Sequence, residues 1–220
     1  MNKKELIKKI EVEAKKYFVG ASGCHDWTHV ERVRALAVHI GKKEKVDLFI
    51  VEAAALLHDI GRKAEMKSKG LFCHAEKGAE TAGIILKKLG LSEGEIENIT
   101  HCIVAHRNRN SHIPNTIEAK VIFDADKLDS TGAVGIARDF LFAGNAGSNN
   151  LYTGNEKRLA KEKKDYSYTK EDSALLEYYK SLRFIYKKIL TKEGKLIAKE
   201  RQKFMDDFFM RFDKEIKGLI

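Results

Sequence analysis

The spacing of apolar residues along the chain predicts helices over most of its length. Apolar and polar positions alternate with helical period in the first 18 residues and again from Trp27 to Ile40. Residues 47–59 are apolar on almost every side, which is typical of a central, buried helix. Further helices are predicted at about 74–89, 93–106, from 116 onward, 172–190 and 194–218. The pattern therefore favours an all-α fold.

Local signals refine several of these elements. Ser92 and Glu95 have the spacing of a capping box, which places a helix start directly after the serine. Gly61 is expected to end the apolar helix. The run Lys120–Phe123 resembles a strand in composition, but its surroundings favour a helix. Residues 144–172 are rich in glycine, asparagine and charge, and they predict a long connection with room for one short helix, which can serve as a lid.

Length and proline content support one helical domain. A chain of 220 residues is long enough for one well-buried core, and Pro114 is its only proline. We expect a single all-α domain over residues 1–220, with its core at about 23–140 and the C-terminal helices at 172–218 packed on that core. A homo-oligomer contact through those helices is the alternative.

The charge balance changes this picture little. The 41 Lys and Arg residues exceed the 32 Asp and Glu residues, which gives a formal net charge of +9. Because acidic residues are interleaved with the lysines in nearly every segment, the surplus indicates a solvated surface more than a nucleic-acid-binding stripe. A phosphorylated small molecule would still be attracted to it.

Cysteine usage and the N-terminus indicate a cytoplasmic location. Cys24, Cys73 and Cys102 are odd in number and far apart, as expected for thiols in a reducing compartment. The N-terminal helix lacks the apolar stretch of a signal peptide. No run of about 18 apolar residues predicts a membrane span.

Two histidine-containing motifs carry the first chemical signals. His25 and His29 lie four residues apart, so both project from one helix face if the helix already includes His25. His58 and Asp59 stand side by side at the end of the most apolar helix. A buried, ionised carboxylate needs a partner because its desolvation is costly. That partner is either a cation or a neighbouring group such as Arg62.

A third motif is acidic. Asp124, Asp126 and Asp129 follow directly on an apolar run, so we expect at least one carboxylate to point inward and to require a cation. Together with the histidines, such a site offers mixed nitrogen and oxygen ligands, which suit Mn, Fe, Co, Ni or Zn better than Mg. A six-coordinate ion with four protein ligands keeps open positions for water and for a phosphate oxygen.

These motifs resemble those of the HD superfamily of metal-dependent phosphohydrolases. The segments HDWTHVERV, AALLHDIGR and DADKLDSTGA, at residues 25–33, 54–62 and 124–133, occur in the order typical of that superfamily. The first is similar to the HDxxHxxRV opening of a branch that includes nucleotide pyrophosphohydrolases. The resemblance covers about residues 23–140 and implies a single HD-domain helical bundle.

The resemblance implies a set of metal ligands. His29 would be the first ligand, His58 and Asp59 the paired ligands that name the family, and Asp126 the fourth, with Asp124 as the alternative to Asp126. Together they would hold one divalent transition metal, either Mn, Fe, Co, Ni or Zn, with Mg less suited.

Other residues are candidates for acting on the substrate. By the resemblance, His25 matches the histidine that donates a proton to the leaving oxygen in related cyclic-nucleotide phosphodiesterases, a role that suits a near-neutral pKa. Asp59 is placed beside it among the catalytic residues. Arg62, Lys127 and Arg32 lie in or beside the motifs and are candidates for binding phosphate.

Members of the superfamily with two metals have further histidines between the paired motif and the last aspartate. This chain offers His74, His101, His106 and His112 in that interval. Their spacing does not reproduce the dinuclear pattern, and the glycine-tyrosine-proline signature of the cyclic-dinucleotide branch is absent. One metal is therefore the preferred expectation, and a second stays open. The alternatives place all four histidines in the core or on the surface, or place His106 and Arg107 in the lining of the pocket.

The implied function is hydrolysis of a phosphoester or phosphoanhydride in a nucleotide-like small molecule, with a metal-bound hydroxide as nucleophile and His25 as acid. Release of pyrophosphate from nucleoside triphosphates is preferred over monophosphate dephosphorylation and cyclic-nucleotide cleavage. Three other classes stay open: a catalytically silent, metal- and nucleotide-binding regulatory module, a di-iron oxygenase on the HD fold, and a nuclease.

Overall fold

The structure is a computed structural model that describes residues 2–21, 23–68, 71–108, 112–145, 147–148, 150–167 and 169–220. These residues form helices and no β-strand, which confirms the all-α fold. The α-helices are α1 (Lys3–Lys15), α2 (Trp27–Glu44), α3 (Leu48–Leu57), α4 (Arg62–Lys67), α5 (His74–Lys88), α6 (Glu93–Ala105), α7 (Ile117–Leu128), α8 (Gly132–Asn145), α9 (Glu156–Leu159), α10 (Ala174–Lys180) and α11 (Lys192–Glu215). Short 3-10 helices lie at Lys16–Phe18, Gly23–His25 and Leu182–Lys188.

Side-chain caps mark the starts of α2 and α6. The carboxylate of Asp26 accepts a hydrogen bond from the backbone N–H of His29, so α2 begins just after His25. Ser92 and Glu95 form the predicted capping box at the start of α6. The strand-like run at residues 120–123 lies inside α7, as its surroundings indicated.

The contacts divide the chain into two compact units, of which the first comprises Met1–Asp126 and Leu190–Gly194. In this unit α3 packs against α1, α2 and α6, and α5 packs against α6. Eight of the ten residues of α3 are buried, because a helix that is apolar on every side needs neighbours all round. The predicted central helix is thus confirmed, although it ends at Leu57 rather than at Asp59.

Gly61 marks a close approach of two backbone segments within the first unit. It directly precedes α4 instead of closing α3. A Cβ atom at this position would lie 2.1 Å from the backbone oxygen of His74 and 2.8 Å from the backbone nitrogen of Gly78. A residue with a side chain cannot be accommodated there, so the turn after α3 packs directly against the start of α5.

The second unit comprises Lys127–Ile189 and Lys195–Ile220. Within it, α10 packs against α8 and α9, and the rings of Tyr178 and Phe209 stack with their centroids 4.1 Å apart. The prediction of one helix over 172–190 was wrong. The backbone of Ser181 leaves the helical region (φ −131°, ψ −58°), so α10 ends and a 3-10 helix follows.

The glycine- and asparagine-rich segment 144–172 includes positions 146, 149 and 168, which lie outside the described residues. It contains the predicted short helix, α9. Leu159 and Tyr166 pack with Leu176 in a small buried cluster, so apolar contacts attach the segment to α10. Its use as a lid stays a prediction, as does the packing of the C-terminal helices on the motif core.

Two features bear on the expected location of the chain. All three cysteines are thiols, and burial raises the pKa of Cys102 to about 12. Among the described residues, no helix combines the length and the apolar character needed to cross a membrane. The cytoplasmic location itself stays a prediction.

Candidate metal centre

Helix ends and turns of the first unit bring imidazole and carboxylate groups together. The groups are His29 in the first turn of α2, His58 and Asp59 after α3, His74 at the start of α5, His106 after α6 and Asp126 near the end of α7. All of them except Asp126 are almost completely buried. Because five helices deliver these side chains, the site depends on the packing of the unit rather than on one local motif.

The first group of donor atoms contains His29, His58 and Asp126. The Nε2 atoms of His29 and His58 lie 3.2 Å apart, and Oδ1 of Asp126 lies 3.5 Å from Nε2 of His29. The three donor atoms all lie within 4.8 Å of one another. Bonds of about 2.1 Å to a metal place ligands up to about 4 Å apart, so small movements allow one ion to be held here.

Asp59 connects this group to a second one. Its Oδ2 lies 3.8 Å from Nε2 of His29 and 3.9 Å from Nε2 of His58. Its Oδ1 lies 3.2 Å from Nε2 of His74 and 3.7 Å from Nε2 of His106, and these two nitrogens are 3.2 Å apart. One carboxylate therefore faces two pairs of imidazoles.

Hydrogen bonds on the far side of the rings decide which nitrogen faces the cluster. Nδ1 of His58 lies 2.8 Å from the backbone oxygen of Ala55, and Nδ1 of His106 lies 2.6 Å from that of Ile103. A carbonyl oxygen only accepts, so each Nδ1 carries the hydrogen. Each Nε2 then presents a lone pair to the cluster, the arrangement typical of metal-binding histidines.

The lone pairs in the cluster suit a cation. Nε2 of His74 also presents one, because its Nδ1 lies 2.7 Å from the carboxylate of Glu65. Oδ1 of Asp59 is buried and has no hydrogen-bond donor among the described residues. Acceptor atoms this close repel one another in a buried site unless positive charge lies between them. The donor set therefore fits a divalent transition metal.

The surroundings favour the protonation states that metal binding needs. Burial raises the pKa of Asp59, but the positive charge of Arg62 opposes it and the pKa lies well below its usual range. Burial lowers the pKa of His58, and it lowers the pKa of His106 to about 3. An ionised carboxylate and neutral imidazoles are the forms that bind metal.

His25 is the more exposed histidine at this cluster. Its side chain is 38% exposed, and its Nδ1 lies 3.3 Å from Oδ2 of Asp59. With His29 and Asp59 it forms a third set of donor atoms within 4.8 Å of one another. Burial lowers the pKa of His25. It therefore lies where the buried donors meet solvent, a place that suits a group acting on substrate.

Arg62 is the predicted phosphate-binding residue that the structure places at the cluster. Its Nε lies 3.5 Å from Oδ2 of Asp59, and its Nη1 donates to Glu65 at 3.2 Å. Arg107, which directly follows His106, donates to the other oxygen of Glu65 at 2.9 Å. The carboxylate of Glu65 therefore connects two guanidinium groups beside the donors.

The other two predicted phosphate-binding residues are not shown at the donors. Arg32 lies on α2, where its Nη1 donates to the hydroxyl of Thr28 at 3.0 Å. Lys127 follows Asp126 in α7 but belongs to the second unit. Their role in binding phosphate stays a prediction.

Asp124, the alternative to Asp126, has a different set of partners. Its carboxylate accepts hydrogen bonds from the backbone N–H groups of Leu190, at 2.8 Å, and Thr191, at 2.7 Å. The hydroxyl of Thr191 donates a third bond, at 2.6 Å. These donors stabilise a buried carboxylate without a metal ion, which favours Asp126 as the ligand.

The cluster contains two histidines that the sequence placed with the core or surface alternatives. His74 and His106 contribute donor atoms, whereas His101 and His112 bind other groups. All four histidines stand outside the three motifs, so local spacing could not distinguish the two at the cluster from the two elsewhere. The signal that could have distinguished them is position, because His74 lies at a helix start and His106 at a helix end.

The chain is similar to known proteins in both sequence and structure. The HD domain family matches residues 26–131. The Bacillus subtilis protein YpgQ is 34% identical over 202 residues, which are 90% of this chain and 87% of YpgQ. The crystal structure of YpgQ in complex with ADP matches with a TM-score of 0.74 and 30% identity, covering 100% of this chain and 99% of that one.

Two further proteins are similar to this chain, and they differ in how much of it they cover. A crystal structure of an HD-superfamily hydrolase from Bacillus thuringiensis matches with a TM-score of 0.74 and 29% identity, covering 98% of this chain and 99% of that one. Ribonuclease Y from Borrelia garinii is 32% identical over 115 residues, which are 52% of this chain and 21% of that protein. The likeness to the hydrolase extends over nearly the whole chain, and the likeness to the ribonuclease over about half.

Proposed function

This chain belongs to the HD-domain family, and we propose that it is a metal-dependent phosphohydrolase that acts on nucleotides. The bond we propose for cleavage is the phosphoanhydride of a nucleoside triphosphate, with release of pyrophosphate. The convergence of imidazole Nε2 atoms on the buried carboxylate of Asp59 carries the proposal. The structural likeness to an HD-superfamily hydrolase supports it.

The first group of donors would hold one divalent ion through His29, His58, Asp59 and Asp126. Mn, Fe, Co, Ni and Zn suit these mixed ligands better than Mg does. Such an ion, when bound, supplies an activated water and offsets negative charge on phosphate oxygens. Asp59 lies between two pairs of imidazoles, and His74 and His106 offer donor atoms for a second ion. The proposal therefore allows two ions where the sequence led us to expect one.

His25 is the residue that we propose moves a proton. In pyrophosphate release, the oxygen of water bonds to the α-phosphorus while the bond from that phosphorus to the bridging oxygen breaks, and the leaving pyrophosphate takes up a proton. His25 is the exposed histidine of the cluster, and its Nδ1 lies against Asp59, which leaves Nε2 for the substrate. Because burial lowers its pKa, the imidazolium gives up its proton readily.

We propose that Arg62, which lies in the first unit, contacts the phosphates of the substrate. Its contacts to Asp59 and Glu65 hold the guanidinium beside the donors. A guanidinium has five N–H donors, so several remain for phosphate oxygens after these two contacts. Arg32 and Lys127 stay candidates for the same task.

A nucleotide is the proposed substrate class because of the relative that matches almost end to end. YpgQ was crystallised in complex with ADP, and this chain is similar to it over 90% of its length. The net charge of +9 favours a polyanionic ligand of this kind.

The test is a hydrolysis panel with metal-stripped protein. The protein is resupplied with Mn, Fe, Co, Ni, Zn or Mg and given nucleoside tri-, di-, mono- and cyclic phosphates, after its purified metal content has been counted. We expect a transition metal to restore pyrophosphate release from nucleoside triphosphates. A His25→Ala variant should bind the same amount of metal and lose turnover by about 100-fold or more.

The other function classes predict different results in the same panel. Metal binding without any product would favour a regulatory module. Two irons per chain with a charge-transfer absorption would favour an oxygenase. Polynucleotide cleavage that weakens steeply with salt would favour a nuclease, a class supported by the partial likeness to Ribonuclease Y.

A further inference from the structure

Glu65 lies behind His74 on the side away from Asp59, and we propose that it is a positioning residue that decides which nitrogen of His74 carries the hydrogen. The idea rests on the proposed function, because it concerns the supply of one ligand atom to the second group of donors. Glu65 itself belongs to none of the donor sets found among the described residues.

The carboxylate of Glu65 is held in a defined place by N–H groups. Its Oε2 lies 2.7 Å from Nδ1 of His74 and 3.2 Å from Nη1 of Arg62. Its Oε1 lies 2.9 Å from Nη1 of Arg107 and 3.4 Å from the backbone nitrogen of His74. The side chain is only 18% exposed. These contacts fix the carboxylate against one ring nitrogen of one histidine.

A competing contact makes this carboxylate decisive. Nη1 of Arg107 lies 3.3 Å from the same Nδ1 atom of His74. A guanidinium only donates hydrogen bonds and an ionised carboxylate only accepts them, so Arg107 and Glu65 demand opposite hydrogen positions on Nδ1. The Glu65 contact is 0.6 Å shorter (3.3 Å against 2.7 Å) and joins a full negative charge to the ring. Nδ1 therefore carries the hydrogen, and Nε2 keeps its lone pair.

Loss of Glu65 should reverse this arrangement. Arg107 would then donate to a bare Nδ1, and the ring hydrogen of His74 would move to Nε2. Nε2 lies 3.2 Å from Oδ1 of Asp59 and 3.2 Å from Nε2 of His106, so a hydrogen there finds acceptors at once. Nε2 of His74 would then donate a hydrogen bond within the cluster, and His74 would no longer offer a lone pair to a metal.

His58 and His106 provide an internal reference for this effect. Their Nδ1 atoms face backbone oxygens of Ala55 and Ile103. A change at Glu65 leaves those carbonyl groups in place. The expected reversal is therefore confined to His74.

The first measurement is the ring tautomer of His74 in metal-free protein, read from long-range ¹⁵N–¹H NMR spectra. Wild type should show hydrogen on Nδ1, and Glu65→Ala should show it on Nε2. Glu65→Gln keeps an oxygen that accepts and should retain the wild-type tautomer. The matched control is Glu80→Ala on α5, since Glu80 contacts the exposed Lys77. It should change nothing.

The second measurement is Co²⁺ binding by titration calorimetry and by visible absorption. Glu65→Ala should lower the affinity of Asp59, His74 and His106 for Co²⁺ by about 10- to 100-fold. This is the usual effect of removing the hydrogen-bond partner of a metal-binding histidine. Removing Arg107 as well, in the double variant Glu65→Ala/Arg107→Ala, should restore part of that affinity.

The outcomes separate this idea from the proposed function. An unchanged His74 tautomer or an unchanged Co²⁺ affinity in Glu65→Ala would overturn it, and a merely structural role would lower thermal stability without moving the hydrogen. If wild type cleaves no nucleotide, the proposed function fails, but the tautomer and the Co²⁺ affinity remain measurable and decide the role of Glu65.

Discussion

Two buried aspartates, one in each compact unit, have opposite surroundings. Asp59 faces imidazoles and Arg62, and its pKa lies well below the usual range although burial raises it. Asp139 lies on α8, and burial together with the acidic side chains of Glu177 and Asp172 raises its pKa to about 8. Their exposures are similarly small, 2% and 8%.

The comparison shows that burial alone does not identify a metal ligand. Each of the two carboxylates has a buried oxygen without a hydrogen-bond donor among the described residues. Asp59 has lone-pair donors around it and gains from a cation, whereas Asp139 has acids around it and gains from a proton. In the described part of the chain, every donor set with metal-binding dimensions lies at the first aspartate's cluster.

Asp59→Asn gives the largest expected effect. The amide removes the charge that joins the two donor groups, so metal content should fall and hydrolysis should drop by about 1000-fold, because the metal contributes several kcal/mol to catalysis. Metal analysis and kcat measurements test this. Asp139→Asn is the matched control and should keep both, and a metal-loaded, active Asp59→Asn protein would break the comparison.

Asp139→Asn should instead change stability, in a pH-dependent way. The folded-state pKa of about 8 lies above the unfolded value of about 3.9. The folded chain therefore binds this proton more tightly, and wild-type stability falls as pH rises from about 4 to about 8. Asparagine removes that loss. Its thermal midpoint should exceed that of wild type by about 5 °C or more at pH 8 and by much less at pH 5.

The decisive result for Asp139→Asn is how the difference in thermal midpoint between variant and wild type changes with pH. A constant difference in thermal midpoint between variant and wild type from pH 5 to pH 8 would mean that burial and the acidic neighbours do not raise the pKa of Asp139.

Asp124→Asn tests a third kind of buried aspartate, one whose partners are N–H and O–H donors. Asparagine keeps the size but loses charge-assisted bonds to Leu190 and Thr191. We expect a loss of about 1 to 3 kcal/mol in the free energy of unfolding, measured with urea. Metal content should stay at the wild-type level, and loss of metal would restore Asp124 as a ligand.

Arg62→Gln should give the smallest effect. Glutamine keeps some hydrogen bonding but loses the positive charge beside Asp59. We expect KM for the nucleotide to rise about tenfold, which corresponds to about 1.4 kcal/mol, with metal content unchanged. Arg211→Gln is the control, because Arg211 lies in an exposed pair with Glu215 on α11, and an equal effect of the two variants would show that general charge, not position, matters.

Most of the fold followed from the sequence because its signals are local. The all-apolar pattern of α3, the capping box at Ser92 and the helical context of residues 120–123 all identified elements that the structure contains. The end of α10 was not predicted, because serine is compatible with a helix, whereas the backbone of Ser181 leaves the helical region.

The candidate site was predicted only as far as the motifs reach. His29, His58, Asp59 and Asp126 were proposed together because their segments resemble the motifs of the HD superfamily. His74 and His106 reach the same cluster from helices whose arrangement depends on the whole unit. The role proposed for Glu65 was equally hidden, since its contacts to His74 and Arg107 span 9 and 42 positions along the chain.

The close approach at Gly61 has a consequence for the size of ion that the cluster can hold. Backbone atoms meet there without a side chain between them, so the gap between the segment carrying Asp59 and the one carrying His74 is set by incompressible contact. A fixed gap favours small transition-metal ions over a larger ion such as Ca²⁺, which needs longer bonds and more ligands.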